Sequence, residues 1–234
     1  MDAIYHERQQ GQLCAQHCLN NLLQGPYFNP VGLSEIAHRL DEKEKSHLTD
    51  REDISLVEMT KILEQPSSNM DDSGFFSVQV ISEALKVWDL ELHPLLSARM
   101  SHAAENPVDQ NAFICNHELH WFAVRKLGRQ WFDLDSLKKS PLHITDTYLS
   151  LFLAQLRAEG YSIFVVTGIL PTSEADQLLS LIPYEPPPPP HSSEGKAARV
   201  SKSPQDFDSI EDEDLAEAIA LSLVESRFPD DKSK

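Results

Sequence analysis

Residues 120–137 have the sequence HWFAVRKLGRQWFDLDSL, and this stretch decides the fold. Short β-type segments rich in aromatic and apolar residues lie on both sides of a central Gly128-Arg pair, an arrangement typical of two strands joined by a tight turn. With a two-residue turn, Leu127 pairs with Gln130, and that pair sets the register of the whole segment. The stretch therefore predicts a β-hairpin and an antiparallel sheet.

Further strand and helix patterns lie on both sides of this hairpin. Short β-type segments occur at 90–95, 112–116 and 162–170, and helical patterns occur at 13–25, 31–48, 54–66, 78–88 and 145–160. The helices come mostly early and the strands mostly later, without strict alternation. This order predicts an α+β fold with an antiparallel sheet.

The composition restricts the classes of partner. The chain has 37 Asp and Glu against 20 Lys and Arg, a formal net charge of −17. Nucleic acid and anionic membranes attract clustered Lys and Arg, so we expect neither as a partner. No segment approaches the roughly 18 apolar residues of a membrane span, and residues 1–10 lack a signal-peptide pattern. Three cysteines, an odd number, do not indicate a disulfide framework, so we expect a reducing compartment.

The composition changes near residue 183. All three Trp and all three Cys lie in residues 1–182, whereas the remaining residues hold eight of the fifteen Pro and few apolar side chains. A proline run followed by polar residues is typical of a linker that is stiff at first and then disordered. We therefore expect a folded domain at 1–182, a proline-rich disordered linker at 183–208, a short tail helix at 209–227 and a disordered end at 228–234.

Cys14 stands where the first helical pattern begins. Unpaired backbone N–H groups and the helix dipole at such a position favour a reactive thiolate. A cysteine is more often a buried and inert small side chain, and we keep that interpretation for Cys18 and Cys115. A metal site built on Cys14, His17 and Cys18 has weak support, because CAQHC matches no zinc spacing and no second Cys/His pair follows.

The hairpin register supplies a partner for Cys14. It places His120 and Asp135 on the same face and within reach of each other, whereas a loop one residue longer or shorter would place them on opposite faces. Asp135 could then accept a hydrogen bond from one imidazole nitrogen and leave the other for a nucleophile. The structural alternatives are a satisfied histidine beside Trp121 and a strand-end cap, and neither explains why the two side chains converge. Cys, His and Asp in this order are typical of papain-like cysteine proteases.

Four stretches in order resemble the Josephin family of deubiquitinating cysteine proteases: YHERQQGQLCAQHCLNNLLQGPYF (5–28), NMDDSGFFSVQVISEALKVW (69–88), HWFAVRKLGRQWFDLDSL (120–137) and YSIFVV (161–166). The resemblance extends over essentially all of 1–182. It implies a papain-like α+β catalytic domain with a projecting helical hairpin at about 31–65. It also implies hydrolysis of isopeptide bonds at the ubiquitin C-terminus without a metal or organic cofactor.

The resemblance assigns roles to single residues. Cys14 matches the family nucleophile, His120 the general base, and Asp135 the third triad position, where Asn is usual in part of the family. Gln9 matches the oxyanion-hole glutamine, although two further glutamines, at positions 10 and 12, lie close to it in the sequence.

The resemblance also implies surfaces for ubiquitin. Val78, Gln79 and Trp88 match a ubiquitin-contacting face near the catalytic cleft, and Tyr27 and Phe28, again with Trp88, match a second face. For each aromatic residue, ordinary core packing is the alternative. The implied partners are ubiquitin, polyubiquitin chains and ubiquitinated proteins, and the implied location is the nucleus and cytoplasm.

The tail contains a second ubiquitin-related pattern, SIEDEDLAEAIALSLVES, at residues 209–226. Ser209 and Asp212 form a capping pattern, and four acids occupy the helix start, where the dipole favours them. One face of the helix then carries Leu215, Ala218, Ile219 and Ser222, as in a ubiquitin-interacting motif. The alternatives are an acidic helix packed against the domain and a solvated tail, because a helix this short is marginal alone.

Two functions of different classes follow. The leading one is a deubiquitinating thiol hydrolase with a tethered ubiquitin-interacting helix, and the alternative is a non-catalytic ubiquitin-binding adaptor in which Cys14 is inert. An apolar residue at position 120 or 135 would have favoured the adaptor. An acyltransferase that uses the same thiol differs only in the acceptor, so the sequence does not separate it from a hydrolase.

Overall fold

A computed structural model describes residues 3–9, 11–50 and 55–182. The expected linker, tail helix and end lie outside the described residues, as do the tail positions Leu215, Ala218, Ile219 and Ser222. No helix within those three ranges is long and apolar enough to cross a membrane.

A six-stranded antiparallel sheet forms the centre of the domain, which confirms the predicted α+β class. The strands follow the spatial order β1-β6-β2-β3-β4-β5, and every neighbouring pair is antiparallel. Their bounds are β1 Glu91–Pro94, β2 Ala112–His117, β3 His120–Leu127, β4 Gln130–Asp133, β5 Leu142–Ile144 and β6 Ser162–Thr167.

The β3–β4 hairpin has the predicted register, with Leu127 opposite Gln130 and Val124 opposite Asp133. Gly128 begins the turn with a φ of +60°, a conformation that favours glycine. A Cβ at this position would lie 2.5 Å from the backbone nitrogen of Ser180, so glycine also allows the last helix to pack closely on the turn.

Helices cover both faces of the sheet. Their bounds are α1 Cys14–Leu23, α2 Pro30–Thr49, α3 Leu56–Leu63, α4 Val78–Lys86, α5 Ser101–Glu105, α6 Asp146–Ala158 and α7 Glu174–Leu181. The helix predicted to stop at Gly25 ends slightly earlier, because Gln24 already adopts the left-handed conformation with a φ of +63°. In the predicted helical hairpin, Lys45 on α2 donates to the carbonyl oxygens of Leu63 and Gln65, at 3.0 and 3.1 Å.

Side chains from the two sheet faces enter two separate apolar cores, as alternation along a strand requires. On one face, Ile114, Trp121 and Ala123 pack with the buried residues of α1 and α4. On the other face, Phe113, Phe122 and Val124 pack with the buried leucines of α6. Helix α1 packs against β3, and the side chain of its first residue, Cys14, contacts Leu119 immediately before β3.

Neither β5 nor α7 was predicted from the sequence. β5 has only three residues, too few for a period to emerge. The short helix α7 is held by Arg125, whose buried guanidinium contacts Asp176 Oδ2 at 2.8 Å. Asp176 also forms a capping box with Ser173, which is the local sequence signal for the start of α7.

Candidate active site

Cys14 is the first residue of α1 and is 1% exposed. Leu13 precedes it without a side-chain cap, so the backbone N–H groups of the first turn stay available near the thiol. The thiol donates to the carbonyl oxygen of Leu119 at 3.3 Å, and the next residue along the chain is His120. The predicted position of Cys14 at a helix start is therefore confirmed.

His120 is oriented by Asp135. Its Nε2 lies 2.9 Å from Asp135 Oδ1, and the ring stacks on Phe122 with a centroid separation of 6.0 Å. The ring also interacts with the side chain of Cys14. Because Nε2 is committed to the carboxylate, Nδ1 is the nitrogen left for the thiol. The structure thus brings together the three side chains that the sequence placed in one constellation.

The electrostatics of this trio favour a charged histidine. Burial disfavours the imidazolium, but the hydrogen bond to Asp135 and the interaction with Cys14 outweigh it and raise the pKa of His120 to about 9. Burial also acts to raise the pKa of Asp135, yet the hydrogen bonds from His120 and from the Leu137 N–H lower it below its usual value. At neutral pH the site therefore contains an imidazolium beside a carboxylate, and such a cation stabilises a neighbouring thiolate.

Asp135 reaches His120 from a turn and not from a strand, which corrects the prediction that the strand continues to Leu137. The ladder ends at Asp133, and the Leu134 N–H still bonds Ala123 O at 2.9 Å, in the expected register. Beyond that point the two aspartates accept backbone N–H groups two residues further on: Asp133 from Asp135, and Asp135 from Leu137, both at 3.0 Å. These local bonds replace the ladder and turn the chain.

Gln9 lies against the same turn. Its backbone N–H donates to Ser136 O at 2.9 Å, and its side-chain oxygen accepts from the Ser136 hydroxyl at 3.2 Å. The side-chain amide donates to Gly11 O at 2.7 Å, which leaves one amide hydrogen for another acceptor. Gln12 is exposed, and the glutamine between Gln9 and Gly11 lies outside the described residues.

The residues expected to contact ubiquitin occupy two ends of α4. Val78 and Gln79 begin the helix, half-buried and exposed respectively, while Trp88 follows its end. Tyr27 is 49% exposed and meets Trp88 edge to face at a centroid distance of 4.5 Å. Phe28 and Trp88 are both partly buried and pack against the core, so Tyr27 is the most exposed of the three aromatic residues. The structure therefore joins Tyr27 and Trp88 into one aromatic pair on the surface.

A profile of the Josephin family matches residues 9–167, a span that contains the whole Cys14, His120 and Asp135 arrangement. The chain belongs to the Josephin family. Rat Ataxin-3 is 51% identical over 241 residues, which cover 96% of this chain and 67% of the rat protein. Human Ataxin-3 is 59% identical over 182 residues, or 78% of this chain and 50% of the human protein. The Ataxin-3 homolog of Caenorhabditis elegans is 38% identical over 238 residues.

These relatives confirm the resemblance to ataxin-type Josephin proteins that the sequence stretches indicated. The chain spans only about half the length of several of them, human and chicken Ataxin-3 among them. The activity, substrates and partners of those longer proteins are therefore assigned to this chain only as proposals.

A polar network around Glu7, next to the candidate site in the chain, was not predicted from the sequence. The Glu7 carboxylate accepts from His17 Nδ1 at 2.6 Å and from Asn20 Nδ2, and it also accepts from the Tyr5 hydroxyl. The Glu7 N–H donates to Asn21 Oδ1 at 2.6 Å. These hydrogen bonds connect residues 5–7, just before Gln9, to helix α1, which begins with Cys14. The only available signal was the set of polar residues in the first helix.

The other two cysteines of the Josephin domain fit the inert interpretation. Cys18 and Cys115 are both fully buried and free, and burial raises the pKa of each thiol well above its usual value. His17, which a metal site with Cys14 and Cys18 would require, is hydrogen-bonded to Glu7. Within the described residues, no group of three His, Cys, Asp or Glu side chains could hold a metal ion.

Proposed function

We propose that this Josephin protein is a deubiquitinating thiol hydrolase that cleaves isopeptide bonds at the C-terminus of ubiquitin. The observation that carries the proposal is the alignment of a buried thiol at a helix start with a histidine whose other nitrogen is held 2.9 Å from a carboxylate. Membership of the Josephin family and the Ataxin-3 relatives support a function of the deubiquitinase class.

In the proposed mechanism the Cys14 thiolate attacks the carbonyl carbon of the last ubiquitin glycine. His120 then donates its proton to the departing lysine amine, and Asp135 stabilises the imidazolium and keeps the ring oriented. The free amide hydrogen of Gln9 and the Cys14 backbone N–H are the proposed oxyanion donors, each worth roughly 3 kcal/mol in such sites. Water, activated by the neutral His120, hydrolyses the acyl-enzyme and releases ubiquitin.

The proposal includes binding surfaces for ubiquitin. The exposure of Tyr27 and its contact with the partly buried Trp88 support this pair, because aromatic residues are enriched at the centres of binding sites. The tail helix at 209–227 is proposed to hold polyubiquitin and ubiquitinated proteins, and its tether would raise their concentration at the cleft. Residence in the nucleus and cytoplasm rests on the sequence resemblance alone.

The catalytic proposal is tested by the hydrolysis of a fluorogenic amide at the ubiquitin C-terminus. We expect Cys14→Ala to abolish turnover and to retain ubiquitin binding. Cys18→Ala is the matched control, because it removes a buried thiol one turn away on the same helix, and it should keep most of the activity. Hydrolysis by Cys14→Ala at the wild-type rate would eliminate the thiol mechanism, and binding without hydrolysis by the wild type would favour the adaptor.

The tail helix is tested separately with the matched variants Ala218→Arg and Ala216→Arg. Ala218 lies on the face expected to bind ubiquitin, whereas Ala216 does not. We expect Ala218→Arg alone to slow the cleavage of polyubiquitin chains while the fluorogenic monoubiquitin substrate is cleaved normally. Equal effects of the two variants would remove the tail helix from the proposal.

A further inference from the structure

Asp133 ends β4 with a carboxylate that is completely buried. One of its oxygens forms an ion pair with Lys138 Nζ, five residues later, and the other accepts the Asp135 N–H at 3.0 Å. The Lys138 side chain remains 40% exposed at the other end of this pair. The two charges therefore close a loop across residues 133–138.

Loop 133–138 makes two contacts with the proposed catalytic machinery. Asp135 Oδ1 holds His120, as described above, and the Ser136 backbone and hydroxyl both hold Gln9. The Lys138 backbone N–H donates to Asp135 O at 3.0 Å. Lys138 therefore contacts Asp133 through its side chain and Asp135 through its backbone. The histidine partner and the glutamine are thus positioned by the same six residues.

A buried carboxylate needs a countercharge, because a charge without one is strongly disfavoured in the interior. Lys138 is the ammonium ion-paired with Asp133, and the other ionisable groups that act on Asp133 or feel its charge are Asp135 and Cys115. Burial raises the pKa of Asp133 above its usual value, and Lys138 acts against that rise. Without Lys138 the loop would hold an unpaired buried carboxylate next to Asp135.

We propose that the Asp133–Lys138 ion pair is a positioning device that sets Asp135 against His120 and, through Ser136, sets Gln9 for oxyanion binding. The inference rests on the proposed function and adds two positioning residues to it. Neither side chain touches substrate in this account. Their effect appears in the chemical step, because a misplacement of catalytic groups by about 1 Å can cost a hundredfold in rate.

The test compares variants of the full chain by kcat, KM and thermal midpoint on the fluorogenic ubiquitin substrate. Asp133→Asn removes the ion pair without leaving a buried charge, and it keeps an oxygen for the Asp135 N–H. Lys138→Met removes the countercharge, Lys138→Arg restores it, and Lys139→Met is the control because Lys139 is an exposed neighbouring lysine.

We expect Asp133→Asn and Lys138→Met each to lower kcat by roughly tenfold or more, with KM within about twofold of the wild type. Lys138→Arg should recover most of kcat, and Lys139→Met should match the wild type. The double variant Asp133→Asn/Lys138→Met should have a kcat at least as high as that of the less active single variant. The reason is that all three variants lose the same ion pair.

The inference is overturned if folded Asp133→Asn keeps the wild-type kcat, whatever Lys138→Met does. It is also overturned if Lys138→Met and Lys139→Met lower kcat equally, or if KM alone changes. Inactive wild-type protein would instead reject the proposed function, so the two failures are distinguishable. If Lys138→Met does not fold, Asp133→Asn and the double variant decide by the same criteria.

Discussion

His120 Nε2 lies 2.9 Å from Asp135 Oδ1, although one residue begins β3 and the other stands in a turn beyond β4. The contact brings a carboxylate to one imidazole nitrogen and leaves the other, Nδ1, available for the thiol. It is one cause of the raised pKa of His120, and it fixes which nitrogen serves Cys14.

Replacing Asp135 by Asn should move the alkaline limit of activity to lower pH. Asn keeps an oxygen for Nε2 but removes the negative charge, so the pKa of His120 falls from about 9. Activity that requires the imidazolium is lost as the pH rises through that pKa, and the loss therefore begins earlier in the variant. The measurement is kcat/KM between about pH 6 and 10. Asp72→Asn, at an exposed turn, is the control, and coincident profiles for the two variants would contradict the assignment.

The free energy of unfolding should depend on pH through the protonation of His120. The folded pKa of about 9 lies above the ordinary value of 6.5, so this stabilisation is fully present below pH 6.5 and is lost as the pH rises through about 9. We therefore expect His120→Gln to lower the free energy of unfolding more at about pH 6 than at about pH 9.5. Urea denaturation at both values measures this, with the exposed His47→Gln as control. A pH-independent difference would show that the imidazolium is not stabilised by folding.

The prediction of this structure from sequence succeeded where contacts follow from local geometry. A two-residue turn set the register of the hairpin and predicted that His120 and Asp135 converge, although a turn after Asp133, and not the strand itself, carries Asp135 to His120. Cys14 was placed at a helix start because apolar residues recur at helical spacing through residues 13–25, although Leu13 supplies no side-chain cap. In each case the sequence pattern that supports the prediction extends over no more than about twenty consecutive residues.

The contacts that the sequence did not reveal join distant or irregular segments. Glu7 bonds to His17 across ten residues that include a loop, and no period relates the two. The turn after Asp133 was predicted as strand, and apolar and polar residues do alternate over FDLD (132–135) as they do in a strand. Aspartate side chains that accept backbone N–H groups override such alternation, and these bonds are visible only in the folded chain.

Glu7→Ala should destabilise the domain by about 2 kcal/mol, because it leaves buried polar groups of the first helix without their acceptor. The affected donors include His17 and Asn20, which are both buried. Glu35→Ala, at an exposed position of α2, should change stability by less than about 0.5 kcal/mol. Urea denaturation at neutral pH compares them, and equal stabilities would remove the network from the account of how Gln9 and Cys14 are held together.

Tyr27→Ala should weaken ubiquitin binding by roughly tenfold, because truncation of an exposed aromatic anchor typically costs more than 1 kcal/mol of binding energy. The measurement is a titration of the Cys14→Ala background with ubiquitin, so that turnover does not interfere. Tyr148→Ala is the control, because Tyr148 on α6 is also a tyrosine and is 45% exposed. The same affinity loss in both variants would argue against a specific face at Tyr27 and Trp88.

The most direct test of the central claim is whether the ubiquitin C-terminus reaches an activated Cys14. Ubiquitin that carries a thiol-reactive electrophile at its C-terminus would be incubated with the wild type, Cys14→Ala and Cys18→Ala, and the modified peptide would be identified by mass spectrometry. The account predicts one adduct, on Cys14, in the wild type and in Cys18→Ala and none in Cys14→Ala. Ubiquitin binding without any adduct on the wild type, or an adduct that persists in Cys14→Ala, would contradict it.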